Sequence, residues 1–315
     1  MIDAFHLSGE FPKNGNDDGY PWPSGKPSRA CVQSARILTW ASEVEAENIA
    51  YLKRFRRAYG TVRGAIPAGL HVPGPRSSES LKAPSRRQLL ALEAHLPGTL
   101  DVYQHPLWAA LDATTEMAAC YRQKVALERV VPNHLPDLLR DERADEAAEA
   151  IGSLDGLAFL VLSVRVLLSK GERPAAFGAA CCIVQALCFL AISRRFVAAM
   201  EILTEALQRT ALADQSDGRF RITSDRTAFL VMYEAVSFVA GEIDRVTGVG
   251  ELRQHERHRW PIYVALLRHL VRAIATPGGE MREASLEAFA CAYGRDGQRK
   301  ADQLARYPIF VDADE

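Results

Sequence analysis

Residues 177–192 read FGAACCIVQALCFLAI, a run in which Gln185 is the single polar side chain. Such a run is typical of a membrane span, of a cysteine-based site or of the buried centre of a soluble helical protein. Sixteen helical residues extend over about 24 Å, less than the roughly 30 Å of hydrocarbon that a span must cross. The length therefore favours a buried helix.

The preceding apolar run, 157–168, carries Arg165 near its centre. A charge at that depth in lipid has an unfavourable free energy of several kcal/mol, on the order of 3 or more. We therefore predict that 157–192 forms a central pair of buried helices in a protein without a membrane segment. A membrane hairpin is the alternative interpretation.

The composition is that of a folded globular protein: 48% of the 315 residues are hydrophobic and 24% are charged. The formal net charge is −1, so binding to nucleic acid or to an acidic membrane requires a local basic patch. Arginine supplies 31 of the 38 basic residues. This bias is typical of a GC-rich bacterial genome, and a functional demand for guanidinium groups is the alternative.

Helical periodicity recurs along the chain with almost no strand pattern, so the predicted fold class is all-α, a multi-helix bundle or an irregular array of helical hairpins. Residues 1–28 are predicted to be an extended or mobile arm. A helical region follows at 29–130 and a helical domain at 137–306. Residues 307–315 are predicted to form an acidic, exposed tail.

Several boundaries within these regions carry specific signals. Helices are predicted at 85–96 and at 105–130, the latter with Pro106 in its first turn. An acidic, solvated helix is predicted at 137–151, and Ser224 is the predicted N-cap of a later helix. The core is expected at 154–213.

Residues 181–208 resemble a single tetratricopeptide-type helical hairpin. The first helix would contribute Ala186 and Leu187, and the second carries the better match. Its apolar positions are Phe196, Ala199, Leu203, Ala206 and Leu207. The resemblance implies two helices packed against each other. The helical spacing by itself places Glu201 and Glu205 on the opposite, polar face of the second helix.

The six cysteines include no C-x-x-C pair, and we predict reduced, structural thiols, with a redox or metal role as the alternative. The first residues, MIDAFHLSGEFPKNG, lack the basic and apolar regions of a secretory signal. We therefore expect a cytoplasmic protein.

No motif for phosphate binding, for a nucleophilic serine or for zinc proteolysis is present, and no cofactor or metal site is predicted. Arg253 and His258 have the R-x4-H spacing of the HEPN superfamily of all-helical ribonucleases, which this pair resembles. The resemblance implies metal-independent catalysis in which His258 acts on the RNA backbone and Arg253 holds the phosphate. The alternatives are metal binding by His255 and His258, and a solvated segment between helices.

A basic segment at 53–87, which contains a Gly- and Pro-rich loop at 60–84, is the main candidate binding site. It holds one acid, Glu79, against nine basic residues: Lys53, Arg54, Arg56, Arg57, Arg63, Arg76, Lys82, Arg86 and Arg87. These residues would bind phosphates or an acidic protein surface, including the chain's own 137–149 region. The alternative is that they stabilise a helix C-terminus through its dipole.

Taken together, these patterns predict a non-catalytic, all-helical interaction or adaptor protein of the bacterial cytosol with a protein partner. The alternative function is nucleic-acid binding through 53–87, with the ribonuclease version using Arg253 and His258. A homo-oligomer is compatible with both functions.

Overall fold

The structure is a computed structural model that describes residues 31–44, 83–112, 114–131, 153–192, 196, 199–213, 215–247 and 270–313. Most of these residues are helical, which confirms the predicted all-α class. The predicted arm at 1–28, the loop at 60–84 and the acidic helix at 137–151 lie wholly or almost wholly outside the described residues.

The helices and strands are numbered here in chain order. They are α1 (31–44), α2 (Arg86–His95), α3 (Thr99–Tyr103), α4 (Pro106–Leu111), α5 (Met117–Leu127), α6 (Leu154–Ser169), α7 (Arg173–Ile192), α8 (Met200–Gln208), β1 (Phe220–Ile222), α9 (Arg226–Thr247), α10 (270–275), α11 (Glu280–Arg306) and β2 (Phe310–Asp312).

The centre of the fold is a helical hairpin formed by α6 and α7. The Ser153 hydroxyl caps α6 by accepting a hydrogen bond from the Gly156 amide at 3.0 Å. Gly171, in the short connection to α7, has a φ of 77°, a conformation that favours glycine. Both helices are apolar on most sides and buried along most of their length. The predicted central pair at 157–192 is confirmed.

Gln185 lies on the one partly exposed side of α7, together with Gly178, Cys181 and Cys182. These positions recur at intervals of three and four residues, which is the spacing of one helix face. The polar residue in the apolar run therefore marks the side of α7 that is not fully covered.

The other helices are arranged around this hairpin. α4 and α5 pack on α6, whereas α8 and α9 pack on α7, and α11 covers α9. The tetratricopeptide-like hairpin at 181–208 thus corresponds to α7 and α8. α7 nevertheless packs more extensively on α6 than on α8. The apolar face predicted for α8 is confirmed, because Leu203, Ala206 and Leu207 are all buried.

A smaller apolar cluster joins α1 to α2 and α3. Trp40 of α1 packs edge-on against Tyr103 of α3, with ring centroids 5.8 Å apart, and Leu89 and Leu92 of α2 complete the contact. This cluster determines which side of α2 faces inward.

The C-terminal segment differs from the exposed tail that its acidic residues suggested. Residues Phe310–Asp312 form β2, which pairs antiparallel with β1 so that Ile222 lies opposite Phe310. Ile309 and Phe310 are buried, and the Phe310 ring packs edge-on against Phe177 at 6.2 Å. Only Asp312 of this strand is exposed. Burial of the Ile309 and Phe310 side chains therefore holds this segment against the fold, although the segment is acidic.

The helix predicted at 105–130 is interrupted between α4 and α5. Asp112 accepts hydrogen bonds from the amide and hydroxyl of Thr114 at 2.9 and 2.7 Å, a local turn that competes with helix formation. Thr115 donates its hydroxyl proton to the Ala109 carbonyl at 2.7 Å. The apolar period continues through this turn, which is why the periodicity alone predicted one helix.

Gly294 interrupts α11 with φ of 60° and ψ of −141°. Only glycine adopts this backbone region without strain, since a side chain there would collide with the backbone. The helix resumes after this single residue. A substitution at Gly294 is therefore strained even though no neighbour would touch the added Cβ.

We expect Gly294→Ala to lower the free energy of unfolding by about 1–3 kcal/mol, because alanine must adopt the same strained backbone. Gly241→Ala is the matched control. Gly241 is exposed within α9 with open space for a Cβ, so alanine should stabilise the protein by up to about 1 kcal/mol. Urea denaturation measures both changes, and a stabilising effect of Gly294→Ala would contradict the strained conformation.

Candidate functional site

The structure describes two of the nine predicted basic residues, Arg86 and Arg87. Both are exposed and lie in the first turn of α2. The other seven lie outside the described residues, and so do the proposed catalytic pair Arg253 and His258.

The first turn of α2 is held by a capping box. The Gln88 amide donates to the Ser85 hydroxyl at 3.3 Å, and the Ser85 amide donates to Gln88 Oε1 at 2.8 Å. The helix boundary predicted from Ser85 is thereby confirmed. This cap fixes the start of α2 and so the positions of Arg86 and Arg87.

The helix dipole does not explain these two arginines. The N-terminus of a helix is its positive end, where basic side chains are electrostatically unfavourable, and the first turn of α2 has no acidic residue. Within the described part of the chain, neither guanidinium forms an ion pair. For Arg86 and Arg87 the explanation by a helix C-terminus is therefore wrong.

One side of α2 faces solvent and combines cationic with apolar side chains. Leu90 lies one turn beyond the two arginines and is 50% exposed, and Ala94 follows one turn later. We call Arg86, Arg87, Leu90 and Ala94 the outer face of α2. This face therefore presents an exposed leucine one turn from two cations that form no ion pair among the described residues.

The nearby Glu93 does not neutralise this face. Its carboxylate accepts hydrogen bonds from the Gly98 amide at 2.8 Å and from the Leu100 amide at 2.6 Å, at the start of α3. Desolvation acts in the opposite direction, but these bonds lower the pKa of the Glu93 carboxyl. The acid therefore caps α3, and among the described residues it forms no ion pair with Arg86 or Arg87.

The charge pattern of the sequence indicates Arg86 and Arg87 as candidate binding residues and does not indicate Leu90. The signal was present, because Leu89, Leu92 and Leu96 have the spacing of one helix face and Leu90 does not fit it. The three fitting leucines are buried, whereas Leu90 is exposed. An apolar residue off the apolar face was the feature to look for.

Other arginines have a structural role at helix ends. Arg36 Nε donates to the Tyr103 carbonyl at 2.5 Å, at the end of α3. Arg282 donates to the Ala273 carbonyl at 3.2 Å and to the Leu304 carbonyl at 2.9 Å, in the last turns of α10 and α11. Carbonyls in a last turn have no partner within their own helix. The guanidinium groups supply the missing donors.

Arg165 plays this role at the centre of the protein, where its side chain is 1% exposed. Its Nη1 donates to the carbonyls of Ala110 and Asp112 at 3.2 and 2.8 Å, and its Nη2 donates to the Thr115 carbonyl at 2.5 Å. Burial lowers the pKa of the guanidinium. This single side chain of α6 thus holds the whole connection between α4 and α5.

His105 also has a structural role. Its Nδ1 accepts a hydrogen bond from the Leu107 amide at 3.2 Å, so Nε2 carries the proton and donates it to Asp155 at 3.0 Å. That hydrogen bond lowers the pKa of the Asp155 carboxyl. Both ring nitrogens are therefore occupied in joining the start of α4 to the first turn of α6. This arrangement leaves His105 no free nitrogen for general base catalysis.

None of the six cysteines, all of which the structure describes, forms a disulfide, and most of the thiols are unreactive. Burial raises the pKa of Cys182 and of Cys188 to about 12 and that of Cys31 to about 11. It also raises the pKa of Cys181. Because the thiolate is the nucleophile, such thiols are inert near neutral pH. The described residues include no group of three His, Cys, Asp or Glu side chains able to hold a metal ion.

No family model, no curated protein and no solved structure matches this chain. The geometry of its own residues therefore carries the functional argument.

α7 is longer than its apolar core of sixteen residues suggested. It runs over twenty residues, Arg173–Ile192, and among the described helices it alone is long and apolar enough to cross a membrane. The length argument against a span is therefore wrong for the whole helix. In this fold 72% of its most apolar window is buried against other parts of the protein. The absence of a membrane segment stays a prediction that now depends on this burial.

We expect Arg165→Met to lower the free energy of unfolding by about 3–5 kcal/mol, because the carbonyls of Ala110, Asp112 and Thr115 lose the guanidinium as a hydrogen-bond donor. Arg299→Met is the matched control, since Arg299 is 69% exposed and, among the described residues, pairs only with Asp296, at 3.4 Å. Its effect should stay within about 0.5 kcal/mol. Denaturant titration of both variants measures the difference, and equal small effects would show that Arg165 does not hold the α4–α5 connection.

Proposed function

We propose that this chain is a non-catalytic, all-helical interaction or adaptor protein of the bacterial cytosol that binds a protein partner through the outer face of α2. The observation that carries the proposal is the position of Leu90, half exposed and one turn from the unpaired Arg86 and Arg87. Covering the exposed half of a leucine contributes about 1 kcal/mol. A partner that also carries acidic groups would gain from both features.

The interior supports the same proposal. Arg36, Arg165 and Arg282 donate to backbone carbonyls, and His105 caps a helix. The side chains that commonly perform catalysis are, in these cases, occupied in holding helices together. The cysteines form no disulfide, which fits the reducing cytosol, where disulfides are rare.

A second candidate function is nucleic-acid binding through the basic segment 53–87. One observation favours it: Arg86 and Arg87 are exposed at the N-terminus of a ten-residue helix, where the helix dipole adds positive potential. The ribonuclease version of this candidate uses Arg253 and His258, which lie outside the described residues. Leu90 disfavours this candidate, since a phosphate backbone offers an apolar side chain no contact surface.

The proposed docking surface is tested with two variants of α2, Leu90→Ser and Arg86→Glu/Arg87→Glu. The full-length protein and each variant are used to capture partners from a lysate of the source organism, and captured proteins are quantified by mass spectrometry. We expect one protein to be captured by the wild type and lost with both variants, because apolar and cationic contacts act together.

The control is Arg295→Glu/Arg299→Glu, which reverses the same number of exposed charges on α11. It should capture the partner as the wild type does. Thermal midpoints establish that all variants are folded. A partner captured equally by wild type and both α2 variants would contradict docking through this face.

The nucleic-acid candidate predicts a different pattern. A labelled RNA or DNA strand should bind with an affinity that falls steeply between about 50 and 200 mM salt. Arg86→Glu/Arg87→Glu should weaken it and Leu90→Ser should not. Absence of binding at about 50 mM salt removes this candidate. In the ribonuclease version, wild type should cleave RNA in the presence of a metal chelator and His258→Ala should not, and an inactive wild type removes that version.

A further inference from the structure

A second exposed helix face has the same chemistry as the outer face of α2. Along α5, Arg122, Val125 and Ala126 face solvent, and Arg129 and Val130 follow in the turn that ends the helix. We call these five residues the outer face of α5. Val130 is 67% exposed and Val125 is 36% exposed. The spacing of three and four residues places Arg122, Val125 and Arg129 in one line.

The inward side of α5 is firmly held, which fixes the direction of this outer face. Cys120 and Leu127 are buried against the core. Lys124 is also buried: its ammonium group lies 2.5 Å from Glu128 and 4.8 Å from the centroid of the Phe159 ring of α6. A lysine paired with an acid and placed over an aromatic ring resists rotation of the helix.

The same pairing removes the nearest acid from the outer face. Glu128 already binds Lys124, so its carboxylate does not compensate Arg122 or Arg129. Among the described residues, neither of these arginines has an ion-pair partner. The outer face of α5 thus presents two unpaired cations with an exposed valine between them and a second valine at its end.

We infer that the outer face of α5 binds an acidic amphipathic helix of a protein partner. Arg122 lies inside α5 and Arg129 in the turn that follows it, with the exposed Val125 between them. A helix with two carboxylates that flank an apolar residue matches this face in charge and in apolar character. A phosphate backbone would engage the arginines and leave Val125 and Val130 exposed.

This inference rests on the proposed function and extends it. Two faces of the same chemistry, on α2 and on α5, would allow the chain to hold two acidic apolar segments at once. An adaptor binds two segments at once, whereas a simple binding protein binds one. Once the first segment is bound, a second segment linked to it binds at a high effective concentration.

The test uses the full-length protein and a synthetic helical peptide of about 16 residues, roughly four turns, with Glu-Glu-Leu-Leu repeated along it. We expect Arg122→Glu/Arg129→Glu and Val125→Ser/Val130→Ser each to weaken peptide binding at least about tenfold, measured by fluorescence anisotropy. A peptide with serine in place of leucine should bind the wild type weakly. The Arg295→Glu/Arg299→Glu variant on α11 should bind the original peptide unchanged.

A second measurement locates the peptide without relying on affinity. In an Ala126→Cys variant, the peptide should slow maleimide labelling at position 126 several-fold, while exposed Cys291 of α11 serves as the internal reference. Unchanged labelling at position 126 with bound peptide would overturn the inference. So would unchanged peptide affinity in both α5 variants.

The α2 variants, titrated with the same peptide, separate this inference from the proposed function. Peptide binding that is lost in the α2 variants and retained in the α5 variants overturns only the inference about α5. Binding that neither set of variants changes, or no binding at all at about 50 mM salt, contradicts both.

Discussion

The fold depends on the hydrogen bonds of the buried Arg165. This side chain lies in the middle of α6, and its guanidinium donates to three carbonyls of the α4–α5 connection. Desolvating a charged group is unfavourable by several kcal/mol, on the order of 3 or more, unless its donors are satisfied. The carbonyls of Ala110, Asp112 and Thr115 accept hydrogen bonds from its two Nη groups, and the Asp112 carbonyl also accepts one from the Thr115 amide at 3.1 Å. The side chain of Arg165 therefore joins the central hairpin to α4 and α5.

His105 strengthens the same junction from the other end of α4. Its ring caps α4 and donates to Asp155 in the first turn of α6. Between His105 and Arg165, both ends of α4 are attached to α6. α5 follows α4 directly and is held in a fixed position, with the Lys124 ammonium group over the Phe159 ring of α6. The outward direction of Arg122 and Val125 is a consequence of this internal framework.

The arginines thus have two distinct uses. Arg36, Arg165 and Arg282 are buried to different extents and donate to helix-end carbonyls, whereas Arg86, Arg87, Arg122 and Arg129 are exposed. A guanidinium suits both uses because it has five donors in a planar fork and keeps its charge. The proposed function and the inference about α5 concern only the exposed group. The abundance of arginine in the composition does not reveal these two uses, because they depend on where each side chain lies in the fold.

The sequence by itself determined the helical class, the buried pair at 157–192, the start of a helix at Ser85 and the apolar face of α8. These features follow from local periodicity and capping chemistry, which act over a few residues. The start of α9 was misplaced by one residue, because the Thr227 amide bonds to Asp225 and not to Ser224. Only the tertiary structure decided that Arg165 binds Ala110, that Phe310 packs on Phe177, and that Leu90 and Val125 lie exposed beside unpaired cations. The physical reason is that burial and pairing depend on contacts between residues tens to more than a hundred positions apart, and no local pattern encodes which distant group will be there.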